Sequence, residues 1–305
     1  MSTSAALQTR AWRGLRLLGT SLRAHQWVKN ILVFIPLVLG GRALDPEAWI
    51  AALLGFISLS LVCSATYLIN DLSDLEHDRQ HRTKRERPLA SGELTRSTAM
   101  VLAVTAVTVG TLISVPLGLA SLAVLLTYVL LTLSYTFKLK QVAILDVFVI
   151  ASLFTLRLIY GIAITGVRVS PWLLIFSIFT FMSLSLAKRY TEANRLTIQG
   201  QTAIPGRGYF SGDAPLILAF GAAASLGAVL ILILYLIEDA FPRDFYSSPE
   251  FLWVLPAILF LFFGRVWLES QRDKLDDDPI MFALKDLQTL IYGAIALSAV
   301  ALAIV

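Results

Sequence analysis

Long apolar runs separated by short charged connectors dominate this chain. A membrane-spanning helix needs about 20 mainly apolar residues, and nine stretches of the sequence meet that requirement. They cover approximately residues 28–44, 48–69, 98–115, 118–137, 141–165, 171–187, 214–237, 251–268 and 287–305. The pattern predicts an all-α polytopic membrane protein, and Pro116 with Gly118 predicts a tight hairpin between the third and fourth stretches.

Composition supports a membrane protein rather than a nucleic-acid-binding one. Hydrophobic residues make up 57% of the 305 positions and charged residues 15%, against about 45–50% and 25% in soluble proteins. The net charge is +4, but the basic residues are scattered over many connectors instead of forming one stripe. The single cysteine, Cys63, lies in an apolar run, which argues against disulfides and thiolate metal sites.

The distribution of basic residues predicts the orientation. With the N-terminus inside, 21 of the 25 Lys and Arg residues fall in or beside cytoplasmic segments, as the positive-inside rule requires. We therefore expect an inner (plasma) membrane protein with its N-terminus in, its C-terminus out and its polar clusters facing the cytoplasm. Residues 28–305 form one membrane domain in this interpretation, and residues 1–27 form a basic cytoplasmic or interfacial arm. The apolar side chains of that arm are Trp12, Leu15, Leu18 and Leu22.

A group of acidic residues stands where the second apolar run ends. Asn70, Asp71, Asp74 and Asp78 are spaced by one, three and four residues, which places the aspartates on one helical face. Carboxylates in this pattern repel one another unless a cation lies among them, and oxygen ligands together with substrate phosphates are what magnesium prefers. A solvated helix end is the plainer alternative.

A basic loop follows the aspartates. Its cations are Arg79, Arg82, Lys84, Arg85 and Arg87. An acidic face followed by a basic loop suits a polyanion bound partly through metal and partly through direct charge pairing. The positive-inside rule explains several of these residues without a ligand, so we single out Arg87, which the neighbouring Pro88 stiffens.

Two ionisable residues lie inside the fifth apolar run. Asp146 and Arg157 are eleven residues apart, about three helical turns, so they share a face but are too distant to pair. A charged residue in a membrane is a functional candidate by default. Each of them needs a partner elsewhere.

Further polar clusters border the apolar runs on the cytoplasmic side. Lys29 and Asn30 begin the first run, where they either snorkel to the surface or face the interior. The remaining candidates are Tyr135, Lys138 and Lys140 before the fifth run, and Lys188, Arg189, Tyr190 and Glu192 after the sixth. The acidic segment 269–278 is typical of a solvated connector.

Together these motifs resemble the UbiA superfamily of intramembrane prenyltransferases. The resemblance rests on the Asn70–Asp78 motif, the Arg87-Pro88-Leu89 loop with Gly92, and the Tyr135 segment. It implies a single ring-like bundle of about nine helices around a central cavity. It also implies a prenyl diphosphate donor and magnesium, held by two aspartate-rich motifs, one after helix two and one after helix six.

The second of those motifs is altered here. Where the resemblance implies paired aspartates, this chain has Lys188, Arg189 and Tyr190, with Glu192 nearby. Cations in place of carboxylates favour a phosphate over a second metal. One branch of the superfamily, the polyprenyl-phosphate phosphoribosyltransferases, which includes the decaprenyl-phosphate enzymes of arabinan cell-wall synthesis, is similar at these positions. It is also similar at Gln26–Asn30, Leu145-Asp146 with Arg157, and Asp278–Asp286.

The resemblance to that branch implies transfer of 5-phosphoribosyl from phosphoribosyl pyrophosphate to a polyprenyl phosphate, with magnesium as cofactor. The expected catalytic residues are Asp71, Asp74 and Asp146, and the expected metal ligands are Asp71, Asp74 and Asp78. The expected substrate-binding residues are Asn70, Lys29, Arg87, Tyr135, Lys138, Lys140, Arg157, Lys188, Arg189 and Tyr190. The sequence is compatible with several lipid lengths, with more than one pathway and with either a monomer or a homo-oligomer.

Two other functions fit the sequence less well. A conventional prenyltransferase with a prenyl diphosphate donor is disfavoured by the cations at Lys188 and Arg189. A secondary transporter is disfavoured because polar residues gather on one side of the membrane, whereas transporter sites lie near the midplane.

Overall fold

The computed structural model describes residues 14, 16–80, 83–198, 200, 202–204, 206–242, 246–275 and 278–304. Eight helices in this part of the chain are long and apolar enough to cross a membrane. They are α1 (Pro46–Ser73), α2 (Arg96–Ser114), α3 (Leu119–Phe137), α4 (Leu145–Thr165), α5 (Pro171–Ile198), α6 (Ala214–Tyr235), α7 (Val254–Gln271) and α8 (Leu287–Ile304). The predicted all-α polytopic fold is confirmed.

The first predicted span has a different form. Residues Ala24–Phe34 are a 3₁₀ helix of 11 residues, and Ile35–Leu39 continue as an α-helix of 5 residues with Pro36 in its first turn. A 3₁₀ helix rises about 2.0 Å per residue and an α-helix about 1.5 Å, so the segment is roughly 30 Å long. It is therefore long enough to cross a hydrocarbon core of about 30 Å, although it has fewer residues than a regular spanning α-helix.

The helices group into two compact units. Unit 1 comprises Met1–Thr136 with Leu156–Val167, and unit 2 comprises Phe137–Thr155 with Arg168–Val305. The first half of α4 thus belongs to unit 2 and its second half to unit 1. Each unit places its own set of polar residues.

Close contact between α1 and α2 organises unit 1. Ser58 Oγ donates a 2.7 Å hydrogen bond to the carbonyl oxygen of Gly110, and a Cβ at Gly110 would come within 2.8 Å of the carbonyl oxygen of Ser58. Small residues therefore let the two backbones approach, as is usual in membrane helix pairs. The predicted hairpin after α2 is present: Val115–Leu117 form one 3₁₀ turn, and Gly118 adopts φ +102°.

Unit 2 is built around the long helix α5. This helix reaches Ile198, well past the apolar run that ends near residue 187. It continues because Ala193 and Leu196 are buried against Ile204 and Tyr209 of the following loop. Packing therefore extends the helix through a stretch whose polarity does not predict it.

Only part of the N-terminal arm can be compared with expectation. Trp12 and Leu15 lie outside the described residues. Residues 16–20 are helical, with Leu18 exposed and Leu22 packed against the cluster that contains Leu68.

Candidate functional site

The aspartate motif lies where α1 ends in unit 1. Asp74 is the C-cap of α1, and a short helix, Leu75–Gln80, follows it. Backbone hydrogen bonds of 2.9 Å from Asp74 N to Asn70 O and from Asp78 N to Asp74 O keep the turn helical. Asp71 and Asp78 are buried, at 7% and 3% exposure. Asp74 is half-buried and accepts a 3.3 Å hydrogen bond from the Asn70 amide.

Arg87 joins the two buried carboxylates. Its Nη1 donates to Asp71 Oδ1 at 3.0 Å and to Asp78 Oδ2 at 2.5 Å. Arg23 also donates to Asp71 Oδ1. Two guanidinium groups therefore compensate two carboxylates that burial alone would penalise.

The basic loop is shaped to present Arg87. Arg87 is the N-cap of the helical turn Pro88–Ser91, and Gly92 ends that turn at φ +87°, a conformation that glycine adopts without strain. Leu89 and Leu94 anchor the loop in the apolar cluster of α1 and α2. Arg87 thus contacts the aspartates, and its role as a substrate ligand stays a prediction. Arg82 lies outside the described residues.

Magnesium fits the donor set of this site. Among the described residues, no group of three or more His, Cys, Asp and Glu side chains is gathered around one point. Magnesium, however, usually takes one or two carboxylates and completes its shell with water and substrate phosphates. Asp71 and Asp78 already converge on one cationic nitrogen of Arg87, and Asp74 lies between them in sequence. The three-ligand set stays a prediction.

A second polar network crosses the interior of unit 1. Arg157, 4% exposed, donates from Nε to the amide oxygen of Asn30 at 2.8 Å and from Nη2 to the Tyr128 hydroxyl at 3.2 Å. Asn30 in turn donates to Ser60 Oγ at 2.9 Å. Arg157 therefore holds the 3₁₀ segment against α1 and α4, and Lys29, half-buried, lies in the same segment.

Unit 2 supplies the partner that Asp146 needs. Asp146 lies in the first turn of α4 with 0% exposure, and Arg189, 2% exposed, donates from Nε to its Oδ2 at 2.8 Å. Nη1 of Arg189 also donates to Glu192 at 2.5 Å. The guanidinium at the exit of α5 thus bridges two carboxylates. Its role as a substrate ligand stays a prediction, but its described contacts are to acids of its own unit.

Sequence reasoning missed Tyr209, which closes this cluster. Its hydroxyl donates to Asp146 Oδ1 at 2.5 Å and accepts from the backbone N–H of Ile144 at 2.8 Å. Burial, and then the hydrogen bond to Asp146, raise the pKa of Tyr209 well above its usual value. Ile144 has φ +67°, so the loop before α4 is strained at this residue. The N–H of the same residue donates to the Tyr209 hydroxyl. A tyrosine in a polar loop gives no periodic signal that would have identified it.

The other predicted residues lie on α5, at the end of α3 and in the turn after α3. Lys188 is 3.9 Å from Glu192. Tyr190 is buried in the core of unit 2, stacks edge-on against Trp267 and donates to Gln271. The three residues near the end of α3 and the turn after it are Tyr135, half-buried, Lys138, exposed, and Lys140, half-buried.

The segment 269–278 is less solvated than its composition suggests. Glu269 is 3% exposed and accepts from Arg265 at 2.8 Å and from Arg272 at 3.2 Å. The connector expectation is wrong for Glu269 because this residue belongs to the last turn of α7, inside the unit.

Arg265 also contacts an acid before α8. Asp286 lies 2.9 Å from Arg265, and the hydrogen bond that Arg265 donates to Asp286 lowers the pKa of Asp286.

Comparison with known proteins identifies the family. The sequence profile of the UbiA prenyltransferase family matches residues 31–285, most of the chain. The chain belongs to this family. The resemblance carried by the aspartate motif and the Arg87 loop is thereby confirmed at the level of the superfamily.

Three relatives illustrate the range within the family. The chain is 43% identical over 286 residues to the uncharacterized protein y4nM of Sinorhizobium fredii. The matched region covers 93% of this chain but only 55% of y4nM, so the chain spans about half the length of that relative. It is 29% identical to the nodulation protein NoeC of Azorhizobium caulinodans, over 88% of the chain and 87% of NoeC. It is 34% identical to decaprenyl-phosphate phosphoribosyltransferase of Mycobacterium tuberculosis, over 76% of each.

A solved structure confirms the fold. The UbiA homolog from Archaeoglobus fulgidus bound to GPP and Mg²⁺ matches with a TM-score of 0.68 at 15% identity, covering 94% of this chain and 98% of that one. That protein therefore binds magnesium together with a prenyl diphosphate, and this chain shares its fold.

Proposed function

We propose that the chain transfers 5-phosphoribosyl from phosphoribosyl pyrophosphate to a polyprenyl phosphate, decaprenyl phosphate in the first instance, at the cytoplasmic face of the inner membrane. The identity to decaprenyl-phosphate phosphoribosyltransferase of Mycobacterium tuberculosis, 34% over three quarters of each chain, supports the reaction class. Use of the product in arabinan synthesis for the cell wall is part of the prediction.

The observation that carries the proposal is the buried pair of Arg189 and Asp146. The resemblance to the superfamily implies that a prenyl diphosphate donor needs a second aspartate-rich motif after the sixth apolar run, in the part of α5 that contains Arg189. Here Arg189 occupies the space between Asp146 and Glu192 with hydrogen bonds of 2.8 Å and 2.5 Å. A second metal would have to displace this guanidinium, which is 2% exposed and would remain a buried cation, whereas Arg87 at the first motif is 26% exposed and can turn toward solvent. A prenyl diphosphate donor that depends on a second metal at this position is therefore disfavoured.

The chemistry needs little more than orientation and charge. The bond from ribose C1 to the pyrophosphate oxygen breaks, and the leaving pyrophosphate keeps the electron pair. An oxygen of the lipid phosphate then bonds to C1. This oxygen is already ionised near pH 7, so no strong general base is required. When bound, magnesium supplies stabilisation of the negative charge on the pyrophosphate, worth several kcal/mol.

The protein's own residues have the following roles in this proposal. Asp71, Asp74 and Asp78 hold the metal, with Asn70 supporting Asp74. Arg87 turns from the aspartates to the donor's phosphates. Asp146 was expected to be a catalytic residue, but it has no exposed surface and accepts three hydrogen bonds. We therefore assign it the positioning of Arg189. The lysines at 29, 138, 140 and 188 stay candidates for the remaining phosphate.

The experiment is a reconstitution. Purified protein in nanodiscs receives labelled phosphoribosyl pyrophosphate, decaprenyl phosphate and magnesium, and the lipid extract is analysed by thin-layer chromatography and mass spectrometry. A lipid-linked phosphoribose is expected. A parallel reaction contains geranylgeranyl diphosphate with an aromatic or a glycerol-phosphate acceptor. The matched control for Asp74→Asn is Glu93→Gln, an exposed acid outside the motif.

The two reactions separate the proposal from its rival. A prenylated product in the parallel reaction, with no lipid-linked phosphoribose, would establish a conventional prenyltransferase and remove the proposal. Phosphoribosyl transfer that is lost in Asp74→Asn and kept in Glu93→Gln would support it.

A further inference from the structure

A cavity of 330 Å³ lies in unit 1 behind the aspartate motif. Its walls come from the segment before the 3₁₀ helix and from the basic loop, and Asp71 reaches its edge. Leu68, Leu89 and Leu94 give it an apolar floor. The volume lies within the range of small-molecule sites, about 300 to 1,000 Å³.

Ser21 marks this cavity as a place for a ligand. Its side chain is 5% exposed and lines the cavity. Among the described residues, its Oγ has no hydrogen-bond partner. Leaving such a buried hydroxyl unsatisfied costs about 1–3 kcal/mol, and an oxygen-rich ligand in the cavity would remove that cost.

Two guanidinium groups of the lining can recognise an anion; the lining also includes two carboxylates, Asp71, which both arginines contact, and the exposed Glu86. Arg23 and Arg87 both line the cavity, and each donates to the same oxygen of Asp71. Their side chains are 18% and 26% exposed, so both keep a face toward open space. A guanidinium carries five donors in a planar fork that matches a phosphate.

Arg23 is held in an unusual conformation. Its backbone lies in the left-handed region at φ 50°, which costs free energy for a residue with a side chain. Its guanidinium lies 5.0 Å from the centre of the Tyr67 ring. The strain and the stacking together fix where this cation points, and strain of this kind is commonly found at binding sites.

We propose that this cavity binds a phosphomonoester dianion through Ser21, Arg23 and Arg87, and that it receives the phosphate end of one substrate. The assignment of the ligand as a substrate rests on the proposed function; the anion site itself does not. The donor's 5-phosphate and the lipid phosphate share this chemistry. Thr83 and His25 also line the cavity.

The test measures binding without turnover. Protein in phosphatidylcholine nanodiscs is titrated calorimetrically in phosphate-free buffer with ribose 5-phosphate, farnesyl phosphate and inorganic phosphate. Arg23→Gln should weaken binding about tenfold or more, since it removes a charge-assisted hydrogen bond. Ser21→Leu should fill the cavity and abolish binding, and Ser21→Ala should weaken it about threefold to tenfold. The controls are Arg96→Gln, an exposed arginine paired with Glu76, and Ser97→Ala, an exposed serine.

The probes identify the source of the phosphate. Losses confined to ribose 5-phosphate assign the cavity to the donor, and losses confined to farnesyl phosphate assign it to the lipid. Binding of all three probes unchanged in Arg23→Gln and Ser21→Ala overturns the proposal, as does an equal loss in Arg96→Gln or no binding to the unaltered protein. If the probes bind as expected but no lipid-linked phosphoribose is formed, the proposed function fails and the anion site stands.

Discussion

Arg189 and Asp146 form an ion pair that is almost completely removed from solvent: the side chains are 2% and 0% exposed, and Nε lies 2.8 Å from Oδ2. Arg189 comes from the C-terminal half of α5 and Asp146 from the first turn of α4, so the pair ties two helices of unit 2. Neither partner can be removed without leaving a buried charge. The pair therefore has a measurable signature in stability, separate from any role in catalysis.

A double-mutant cycle should reveal that signature. Arg189→Met should lower the free energy of unfolding by about 3–5 kcal/mol, because Asp146 is left buried without its cation. Asp146→Leu should cost less, because Arg189 keeps its contact with Glu192. The double variant should lose clearly less free energy of unfolding than the sum of the losses in the two single variants. Equilibrium unfolding in detergent measures all four proteins. Additive losses would mean that the two side chains are not coupled.

Tyr209→Phe should change the pH dependence of stability. The raised pKa of Tyr209 favours the neutral phenol in the folded protein. Its contribution is therefore complete below the unfolded pKa of about 10 and is lost as the pH rises through the folded value. At neutral pH, Tyr209→Phe should be less stable by about 1–3 kcal/mol, since Asp146 and the Ile144 N–H lose a partner. Above about pH 10, the variant should lose stability less steeply than the unaltered protein; parallel curves would contradict the linkage.

The two aspartates at positions 71 and 74 should respond differently to neutralisation. Asp74→Asn should reduce turnover by at least about a hundredfold, in keeping with the several kcal/mol of metal-assisted charge stabilisation, and should leave the thermal midpoint nearly unchanged because Asp74 is half-buried. Asp71→Asn should lower both the turnover and the thermal midpoint, since Arg23 and Arg87 lose the buried carboxylate that they contact. Turnover assays paired with thermal unfolding separate the two. Retained activity in Asp74→Asn would remove its metal role.

Gly161→Ala should disturb the 3₁₀ segment. A Cβ at Gly161 would lie 2.2 Å from the carbonyl oxygen of Val33, which is backbone and cannot rotate away. Overpacking of this kind costs about 1–3 kcal/mol. Gly264→Ala is the matched control, because nothing lies within 4 Å of its Cβ and alanine favours the helix by about 0.5–1 kcal/mol. Equal unfolding free energies for the two variants would argue against the close approach.

Single cysteines should locate the crossing segments. Cys63 is buried, so Arg16→Cys, Leu44→Cys and Glu93→Cys can be compared with a membrane-impermeant maleimide on intact and permeabilised cells. Leu44, 92% exposed, should label from outside. Arg16 and Glu93 should label only after permeabilisation. Labelling of Arg16 and Leu44 from the same side would show that residues 24–39 do not cross.

The apolar pattern was sufficient for eight of the helices, because lipid selects for long hydrophobic runs whatever packs against them. It gave the wrong form for residues 28–44, where Pro36 and the contacts of Asn30 and Val33 override the α-helical period. It also ended α5 too early, since packing of Ala193 and Leu196 continues the helix beyond the apolar run.

The candidate site was predictable in its parts but not in its pairings. Asp71 and Asp78 were recognisable from their spacing and Arg87 from the neighbouring Pro88, and the structure brings them together. The partner of Asp146 is 43 positions away, and Tyr209 is 63 away. Such contacts depend on how α4, α5 and the loop after α5 pack, which no local pattern in a single sequence records.

The 3₁₀ form of Ala24–Phe34 sets a strict phase for that segment. With three residues per turn, positions three apart lie in one row, and Trp27, Asn30 and Val33 occupy such a row. Trp27 bonds to Ser64, Asn30 to Ser60, and Val33 lies against Gly161. Inserting one residue would turn the remainder of the row by about 120° and break these contacts, whereas inserting three would restore the alignment and lengthen the segment by about 6 Å. The segment therefore tolerates changes of length only in multiples of three, and bilayer thickness then selects among those lengths.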